Sequence, residues 1–433
     1  MKRLFVAVIV FGLLLGNMSL YAGSGRESSR STQSRKQVMT AMFLGSSQDQ
    51  VVVDIIKSVT DKFNETNPYN VEFRFETYEN EQYKTKLTTV MASNSTPDVF
   101  FTWSAGYLQP FVDGGKVYEI GQLLNRDSEW KNRFNDGVFG PVTYNGRIYA
   151  VPHGQTVAVM FYNTRLFAEN NVSVPRSFEE LKAACQVFKS RGIIPISVPV
   201  KDAWVAGQIQ QQLANGTGGM DLFNGTVSGS RAWNDPQYVE AGRLLIELVN
   251  IGAFQDGYLG MSYDEGRDIF ARERAAMYYM GSWEVPMLSD PSSPVSKNIG
   301  VFNIPPNNPT TGNVALGDVD QCLAISASCS NIEAAAAYIK MFSSVETQEA
   351  YAYNANYLLS TKTSLDSTKL SPLFIGVSRL QQGFTGVTPW LDRVFGAGEG
   401  VEFNNAAQAI MAGRDPSTRF GELQQFARNN ALR

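Results

Sequence analysis

Two aspartates and a single histidine are the side chains whose types and spacing could support catalysis. Asp318 and Asp320 lie two residues apart in the stretch LGDVDQCLAIS, and His153 is the one histidine. Side chains two apart on a strand share a face, which suits a glycoside-cleaving pair or a hydrogen-bonding edge. The sequence has no Cys-x-x-Cys, His-Glu-x-x-His, G-x-S-x-G or phosphate-cradling glycine loop. We therefore expect no catalytic residues, no metal site and no cofactor.

Tryptophans stand where predicted strands end. Trp103 follows the apolar run DVFFT, and Trp283 follows AAMYY. In open α/β sheets, ligands bind beyond the carboxyl ends of the strands, so both indoles are expected at the mouth of a cleft. A sugar ring has an apolar C–H face and a hydroxyl rim, which fits an aromatic plate surrounded by polar groups. Packing in a core is the alternative for each indole.

The turn before Trp283 bears on that choice. Gly281 is expected to let the backbone turn tightly and aim the ring outward, and Ser282 to cap a short helix that follows. The other candidate ligand contacts are polar residues near predicted strand or loop ends and two further tryptophans in loops. Each polar residue, taken singly, suits a capping or solvated role equally well. These candidates are Asp320, Asp318, Gln155, His153, Glu79, Gln48, Trp204 and Trp390.

The elements that must position these residues alternate between strand and helix. Apolar runs predict strands at 38–44, 71–75, 98–101, 157–161, 194–198 and 275–279. Helical spacing predicts helices at 52–63, 83–91, 177–190 and 263–272, and a mostly helical portion from about residue 332. This order is typical of α/β lobes with largely parallel sheets.

The N-terminus has the pattern of an export signal. Lys2 and Arg3 precede an apolar stretch, 4–15, and Ala22-Gly23 suits cleavage. The stretch is shorter than the roughly 20 residues of a membrane span, although a retained anchor is the alternative. No cysteine lies near the cleavage point, so we expect no lipid anchor. Residues 23–36 are Ser/Arg-rich and are expected to form a flexible leader.

Composition limits the class of protein. A formal net charge of −4 argues against a nucleic-acid partner, which requires a basic footprint. A chain of 433 residues exceeds what one core usually accommodates, so two lobes are expected. Three cysteines do not make a disulfide framework. Cys322 and Cys329 could pair across a short loop or remain buried thiols, and Cys185 is expected to be free and buried.

Four stretches resemble the family 1 extracellular solute-binding proteins of ABC transporters, the maltose-binding-protein type. They are STPDVFFTWSAGYLQPFVDGGKVYEI, NGRIYAVPHGQTVAVMFYNTRLF, DEGRDIFARERAAMYYMGSW and GDVDQCLAISASCSNIEAAAAYIKMF. The resemblance runs over nearly the whole chain after the signal, in the expected order. It implies two α/β lobes, three hinge crossings and a carbohydrate bound between the lobes.

The resemblance also implies roles for particular segments. Trp283 and Trp103 match aromatic positions that stack on sugars, and the PHGQT and GDVD segments match hinge crossings with polar contacts. The loop 45–48 lacks the charged residues that maltose-type members carry there. Ala105 and Gly106 stand where those members have polar side chains. The resemblance therefore implies a neutral saccharide and not maltose in particular.

These observations predict a periplasmic, monomeric sugar-binding subunit of an ABC importer, without catalytic activity, whose partner is a membrane permease. The predicted boundaries are a signal peptide, 1–22, a leader, 23–36, an N-terminal lobe, 37–152 and 318–344, and a C-terminal lobe, 153–317 and 345–433. Two alternatives remain open. One is a binding protein for a polyamine or glycerol phosphate, and the other is a secreted glycosidase that uses Asp318 and Asp320. A phosphate ligand would favour a basic cluster, and none of the candidate residues is basic.

Overall fold

A computed structural model describes residues 36–45, 50–93 and 95–431, apart from the side chains of Asp320 and Ala431. The predicted signal peptide, leader residues 23–35 and Gln48 lie outside this part of the chain. The described strands are β1 (Gln37–Leu44), β2 (Val71–Tyr78), β3 (Val99–Thr102), β4 (Thr143–Tyr144), β5 (Arg147–Ile148), β6 (Val151–Asn163), β7 (Ile194–Ser197), β8 (Ala275–Gly281), β9 (Ile299–Phe302), β10 (Val314–Ile325), β11 (Leu358–Leu359) and β12 (Gly386–Thr388).

Helices cover most of the remaining described chain. They are α1 (Gln50–Thr66), α2 (Asn80–Ala92), α3 (Gln109–Asp113), α4 (Gly121–Arg126), α5 (Ser128–Asn132), α6 (Thr164–Glu169), α7 (Phe178–Ser190), α8 (Ala203–Val227), α9 (Pro236–Asn250), α10 (Tyr263–Ala271), α11 (Val285–Ser289), α12 (Ile332–Phe342), α13 (Val345–Asn354), α14 (Pro372–Gln382), α15 (Leu391–Val394), α16 (Val401–Met411) and α17 (Pro416–Ala431). No helix in the described residues is both long enough and apolar enough to cross a membrane.

Local sequence accounts for several of these elements. In α1, Val52, Ile55 and Phe63 recur at helical spacing, and all three are buried on one face. Helix α7 begins after Ser177, whose side chain accepts a hydrogen bond from the amide of Glu180. Helix α10 begins with a capping box, which satisfies otherwise unpaired amides of its first turn.

The strands of the described chain, apart from the hairpin β4–β5, form one mixed sheet. Its main order is β2-β1-β3-β10-β6-β8-β7, with β9 and β11 paired to β6 and β12 paired to β10. Strand β1 runs parallel to β2 and β3, and β7 runs parallel to β8. The pairs β3–β10, β10–β6 and β6–β8 are antiparallel. The α/β class predicted from sequence is therefore confirmed, with parallel pairing at each end of the sheet and antiparallel pairing at its centre.

Two hydrophobic clusters divide this sheet. The first cluster contains β1, β2 and β3 with α1, α2 and α12, and the second contains β7 and β8 with α7, α8, α9 and α16. Strand β6 passes from Val151 in the first cluster to Val157 in the second, and β10 passes from Leu316 in the second to Val319 in the first. The chain passes again between Leu359, which packs against the first cluster, and Leu365, which packs against the second, although Leu358 is already buried in the second. These are three crossings between the clusters.

Two sequence-based expectations need correction. Strand β6 begins at Val151, six residues before the predicted start, because pairing with β10 continues through the crossing. The 25-residue helix α8 was not predicted, and it carries Trp204, which is therefore on a helix and not in a loop. Helix α13 contributes Tyr351 to the first cluster. The predicted lobe boundaries remain predictions.

The cysteines act as packing groups. Cys185 is free and buried, as predicted, and burial raises the pKa of its thiol to about 12. Cys329 is also a free thiol, so it is not bridged to Cys322. Burial is the main cause that raises the pKa of Cys329 to about 12 as well. At neutral pH these thiols remain protonated.

Candidate functional site

A cavity of about 450 Å³ lies between the two hydrophobic clusters. Its volume is within the range of small-molecule sites, roughly 300–1,000 Å³. Both clusters contribute to its wall. The lining residues are Leu44, Gly45, Val52, Glu79, Asn80, Glu81, Phe101, Trp103, Lys201, Asp202, Trp204, Ser262, Tyr263, Asp264, Arg267, Trp283, Gln321, Tyr357 and Arg393.

Three rings from three different elements form one side of this cavity, which we call the aromatic wall: Trp204, Tyr263 and Trp283. The ring centroids of Trp204 and Trp283 are 6.1 Å apart, and those of Trp204 and Tyr263 are 5.9 Å apart. The indole Nε1–H of Trp283 donates to the Tyr263 hydroxyl at 2.8 Å. Trp390 packs against Trp283, with ring centroids 6.0 Å apart, and is itself buried. The wall therefore has fixed geometry and a partly open face.

The backbone before Trp283 explains how this ring reaches the wall. Strand β8 is buried along its length and ends at Gly281. A Cβ at position 281 would lie 2.2 Å from the Trp283 ring, so the indole occupies the space that a side chain would take. Gly281 has φ −76°, a backbone angle that any residue can adopt. The glycine is therefore required because a side chain would clash with the indole, and not because the backbone makes a left-handed turn. The Ser282 hydroxyl accepts from the Val157 amide at 3.2 Å, so the predicted helix cap by Ser282 is wrong.

A buried ion pair supports the wall from behind. The Arg267 guanidinium donates to Asp264 Oδ1 at 2.6 Å and lies 3.9 Å from Glu284 Oε1. It also lies 5.6 Å from the centroid of the Tyr263 ring. Glu284 is 0% exposed and follows Trp283 directly, so the pair links α10 to the turn that carries the indole. Sequence reasoning missed Arg267, although Tyr263 and Arg267 are four residues apart on one helix and therefore share a face.

Trp103 lies opposite, within the first cluster. It is only 3% exposed, and Tyr107, Phe101 and Tyr83 pack edge-on around it. The guanidinium of Arg393 lies over its ring, 4.7 Å from the centroid, and the Lys84 ammonium lies 5.6 Å from the centroid. The ring predicted as a platform thus borders the cavity beneath a cation.

Carboxylates from both clusters meet at another part of the cavity. Glu79 caps α2 by accepting from the amides of Glu81 and Gln82, and it also lines the cavity. Asp202 precedes α8 and comes from the other side of the cleft. Burial raises the pKa of Asp202, and the negative charges of Glu81 and Glu79 raise it further. Lys201 lines the same region, so charges of both signs are present.

The remaining predicted site residues lie elsewhere in the described chain. His153 is buried against Tyr351, with ring centroids 4.5 Å apart, and burial lowers its pKa to about 4. Gln155 lies in β6 opposite Leu358. Asp318 accepts from the adjacent Val319 amide at 2.6 Å, beside a register shift between β10 and β6. The backbone of Asp320 is in β10. His153, Gln155 and Asp318 are not among the described residues that line the cavity.

The cavity therefore gathers Trp283, Trp103, Trp204 and Glu79 from the predicted set, and their roles as ligand contacts remain predictions. It adds Lys201, Asp202, Tyr263, Arg267, Gln321 and Arg393. Three of these are basic, which the predicted set did not include. Gln321 lines the cavity and follows Asp320 directly, so the chain reaches the cavity immediately after the GDVD segment. Within the described residues, no group of three His, Cys, Asp or Glu side chains could hold a metal ion.

Comparison with known proteins adds independent information. The sequence model of the bacterial extracellular solute-binding protein family matches residues 50–349. The chain is 26% identical over 289 residues to the multiple sugar-binding protein of Streptococcus mutans, covering 62% of this chain and 63% of that protein. It thus spans less than two thirds of the length of this curated relative.

Solved structures show the same fold. A chain solved in a study of xylan utilization by the thermophilic bacterium Caldanaerobius polysaccharolyticus is 29% identical, with a TM-score of 0.84, over 90% of this chain and 99% of that one. A chitin oligosaccharide binding protein is 23% identical, with a TM-score of 0.85, over 92% and 99% of the two chains. These similarities confirm the predicted two-lobe fold, in which the first and second clusters are the cores of the two lobes.

Proposed function

The chain belongs to the bacterial extracellular solute-binding protein family, and from this premise we propose that it captures a neutral saccharide between its lobes for an ABC importer. The aromatic wall is the observation that carries the proposal. Each of its rings offers an apolar face to the C–H face of a sugar, while charged and amide side chains around the cavity offer partners for hydroxyl groups. Small-molecule sites commonly combine apolar and aromatic side chains with a few polar groups that orient the ligand.

The charges of the cavity support a neutral ligand. Lys201, Arg267 and Arg393 are offset by Glu79, Glu81, Asp202 and Asp264. Arg267 is engaged with Asp264 and Glu284, so its charge is already compensated. A glycerol phosphate would meet the acidic group formed by Glu79, Glu81 and Asp202. That acidic group makes a cationic solute such as a polyamine the second candidate.

A glycosidase has less support from the geometry. Asp318 accepts a hydrogen bond from its neighbour's amide and does not line the cavity of the described chain. The matching family consists of binding proteins. We therefore propose a binding protein without turnover, and incubation with each bound saccharide should leave that saccharide intact by chromatography. Release of shorter sugars would overturn this part of the proposal.

A thermal-shift panel tests the substrate class. The panel should hold xylo-, chito- and malto-oligosaccharides, galactose and raffinose, with spermidine and glycerol 3-phosphate as the charged competitors. A ligand at about 100 times its dissociation constant stabilises a protein by about 2.7 kcal/mol, which is a readily measured shift. We expect stabilisation by at least one neutral saccharide and by neither charged compound. Stabilisation by spermidine or glycerol 3-phosphate alone would contradict the proposal.

Export, permease delivery and a monomeric state complete the proposal. The mature protein is expected in the periplasm, beginning near Gly23, without lipid, and transferring its ligand to a membrane permease. Intact-mass measurement of protein from its native compartment, with light scattering, checks the first residue, the lipid and the monomer. A mass that includes Lys2 and Arg3 would indicate a retained anchor.

A further inference from the structure

Arg393 connects the two lobes across one side of the cavity. It belongs to α15, whose neighbours Leu391 and Val394 pack in or against the second cluster, whereas Trp103 is part of the first. Its guanidinium lies 4.7 Å from the Trp103 centroid and 6.0 Å from the Tyr107 centroid. Neither distance exceeds the roughly 6 Å within which a cation is attracted to an aromatic ring.

The surroundings of Arg393 hold it in this position. The Leu391 amide donates to Gln211 Oε1 at 2.8 Å, which fixes the start of α15. Asp392 accepts from Asn404 at 3.1 Å, and its carboxylate lies 4.0 Å from the Arg393 guanidinium. The Arg393 side chain is 14% exposed, so it is largely enclosed, yet it still lines the cavity. The guanidinium is therefore held in a defined position and is not a solvated surface charge.

The consequence concerns ligand length. A saccharide whose first ring stacks on the aromatic wall can extend toward Trp103, where a second flat surface would stack a further ring. In this structure that surface lies under Arg393. We propose that Arg393 limits the length of the bound saccharide by covering Trp103. This inference rests on the proposed function, because it specifies which neutral saccharides the same cavity accepts.

The test compares affinity across ring number. Wild-type protein, Arg393→Ala and Arg393→Gln are titrated with xylo-, chito- and malto-oligosaccharides of one to four rings by calorimetry. Arg243→Ala is the matched control, because Arg243 is an exposed arginine paired with Glu240 on α9. Arg393→Gln keeps most of the side-chain length and removes the charge, which provides a second variant if Arg393→Ala does not fold.

For wild-type protein and Arg243→Ala, affinity should stop rising beyond a particular ring number. In both Arg393 variants, the first ring beyond that number should add affinity by roughly tenfold or more, on the scale of an aromatic contact. An unchanged length profile, or an equal loss of affinity at every length, would overturn the role of Arg393 while leaving saccharide binding intact. Failure of all proteins to bind any saccharide would overturn the proposed function and this inference with it.

A second measurement requires no ligand. Removal of the guanidinium should expose Trp103, so acrylamide should quench a larger fraction of the tryptophan fluorescence in Arg393→Ala than in wild type. The difference should disappear when Trp103→Phe is present in both proteins. An equal quenchable fraction in wild type and Arg393→Ala would show that Trp103 is covered by other groups, and would overturn the inference.

Discussion

At the scale of single residues, the glycine before Trp283 leaves space for a ring that we propose to bind the ligand. A Cβ at position 281 would lie 2.2 Å from the indole, so Gly281→Ala should displace the ring without deleting it. We expect weaker saccharide binding by calorimetry, by roughly tenfold. Gly140→Ala is the control, because a Cβ there meets nothing within 4 Å. Equal affinities for the two variants would mean that the position of the Trp283 ring does not determine the affinity for the saccharide.

The single histidine gives a pH prediction at the same scale. The folded pKa of His153 is about 4, because burial disfavours the charged ring, whereas the unfolded value is about 6.5. The unfolded chain therefore binds more protons between these values. Stability is fully present above pH about 6.5 and is lost as the pH falls toward 4, by about 3 kcal/mol in total.

Urea unfolding at pH 7.5, 5.5 and 4.5 measures this loss. The carboxylates also titrate near the lower end, so His153→Phe serves as the reference, since an apolar ring should pack among Phe342, Tyr351 and Tyr357. Wild type should lose more free energy of unfolding than His153→Phe over this interval. The same slope in both proteins would mean that folding does not lower the pKa of His153.

At the scale of elements, close backbone contact explains the glycine at position 106, where the maltose-type pattern has a polar side chain. The short 3-10 helix Ala105–Tyr107 lies against the end of α15 and against the glycine-rich segment Gly396–Gly400 that follows α15. A Cβ at Gly106 would lie 2.3 Å from the Val394 carbonyl oxygen. Ala105 has φ 54° and its carbonyl accepts from the Tyr144 hydroxyl at 2.6 Å. A larger side chain at position 106 would not fit this contact between the lobes.

Gly106→Ala should therefore separate these two segments. We expect a larger radius of gyration for the unliganded variant than for wild type by small-angle scattering, with little change in the spectrum of secondary structure. Gly140→Ala again provides the control. A radius of gyration equal to that of wild type would show that the contact can accommodate a methyl group and does not hold the lobes together.

The elements also show how far sequence reasoning reaches. The order β1-α1-β2-α2-β3 was predicted to within a few residues, because periodicity and breaks such as Thr96-Pro97 are local signals. Helix α8 was missed because it is buried on most sides, including Gln208 and Gln211, and so has no polar face. Trp283 was predicted as a cavity residue from its place after a strand. Arg393 and Asp202 reach the cavity only through packing of distant segments, which local pattern does not encode.

At the scale of the whole molecule, the account predicts closure on ligand binding. Three crossings join the lobes, and the cavity wall is shared between them, so a ligand that contacts both sides favours a closed arrangement. The radius of gyration should decrease when a saccharide found by the thermal-shift panel is added at saturation. A non-binding saccharide from the same panel is the control. An equal radius in both samples would mean that the cavity is filled without movement of the lobes.

Calorimetric titration of wild type and Trp283→Ala tests whether a neutral saccharide binds on the aromatic wall. The account predicts one saccharide per wild-type chain and a loss of about 1–3 kcal/mol in the variant, which is roughly 5- to 150-fold in affinity. Trp233→Phe, a buried tryptophan change outside the cavity of the described chain, should bind as wild type does. Equal saccharide affinity in wild type and Trp283→Ala, or wild-type binding of spermidine or glycerol 3-phosphate alone, would contradict the account.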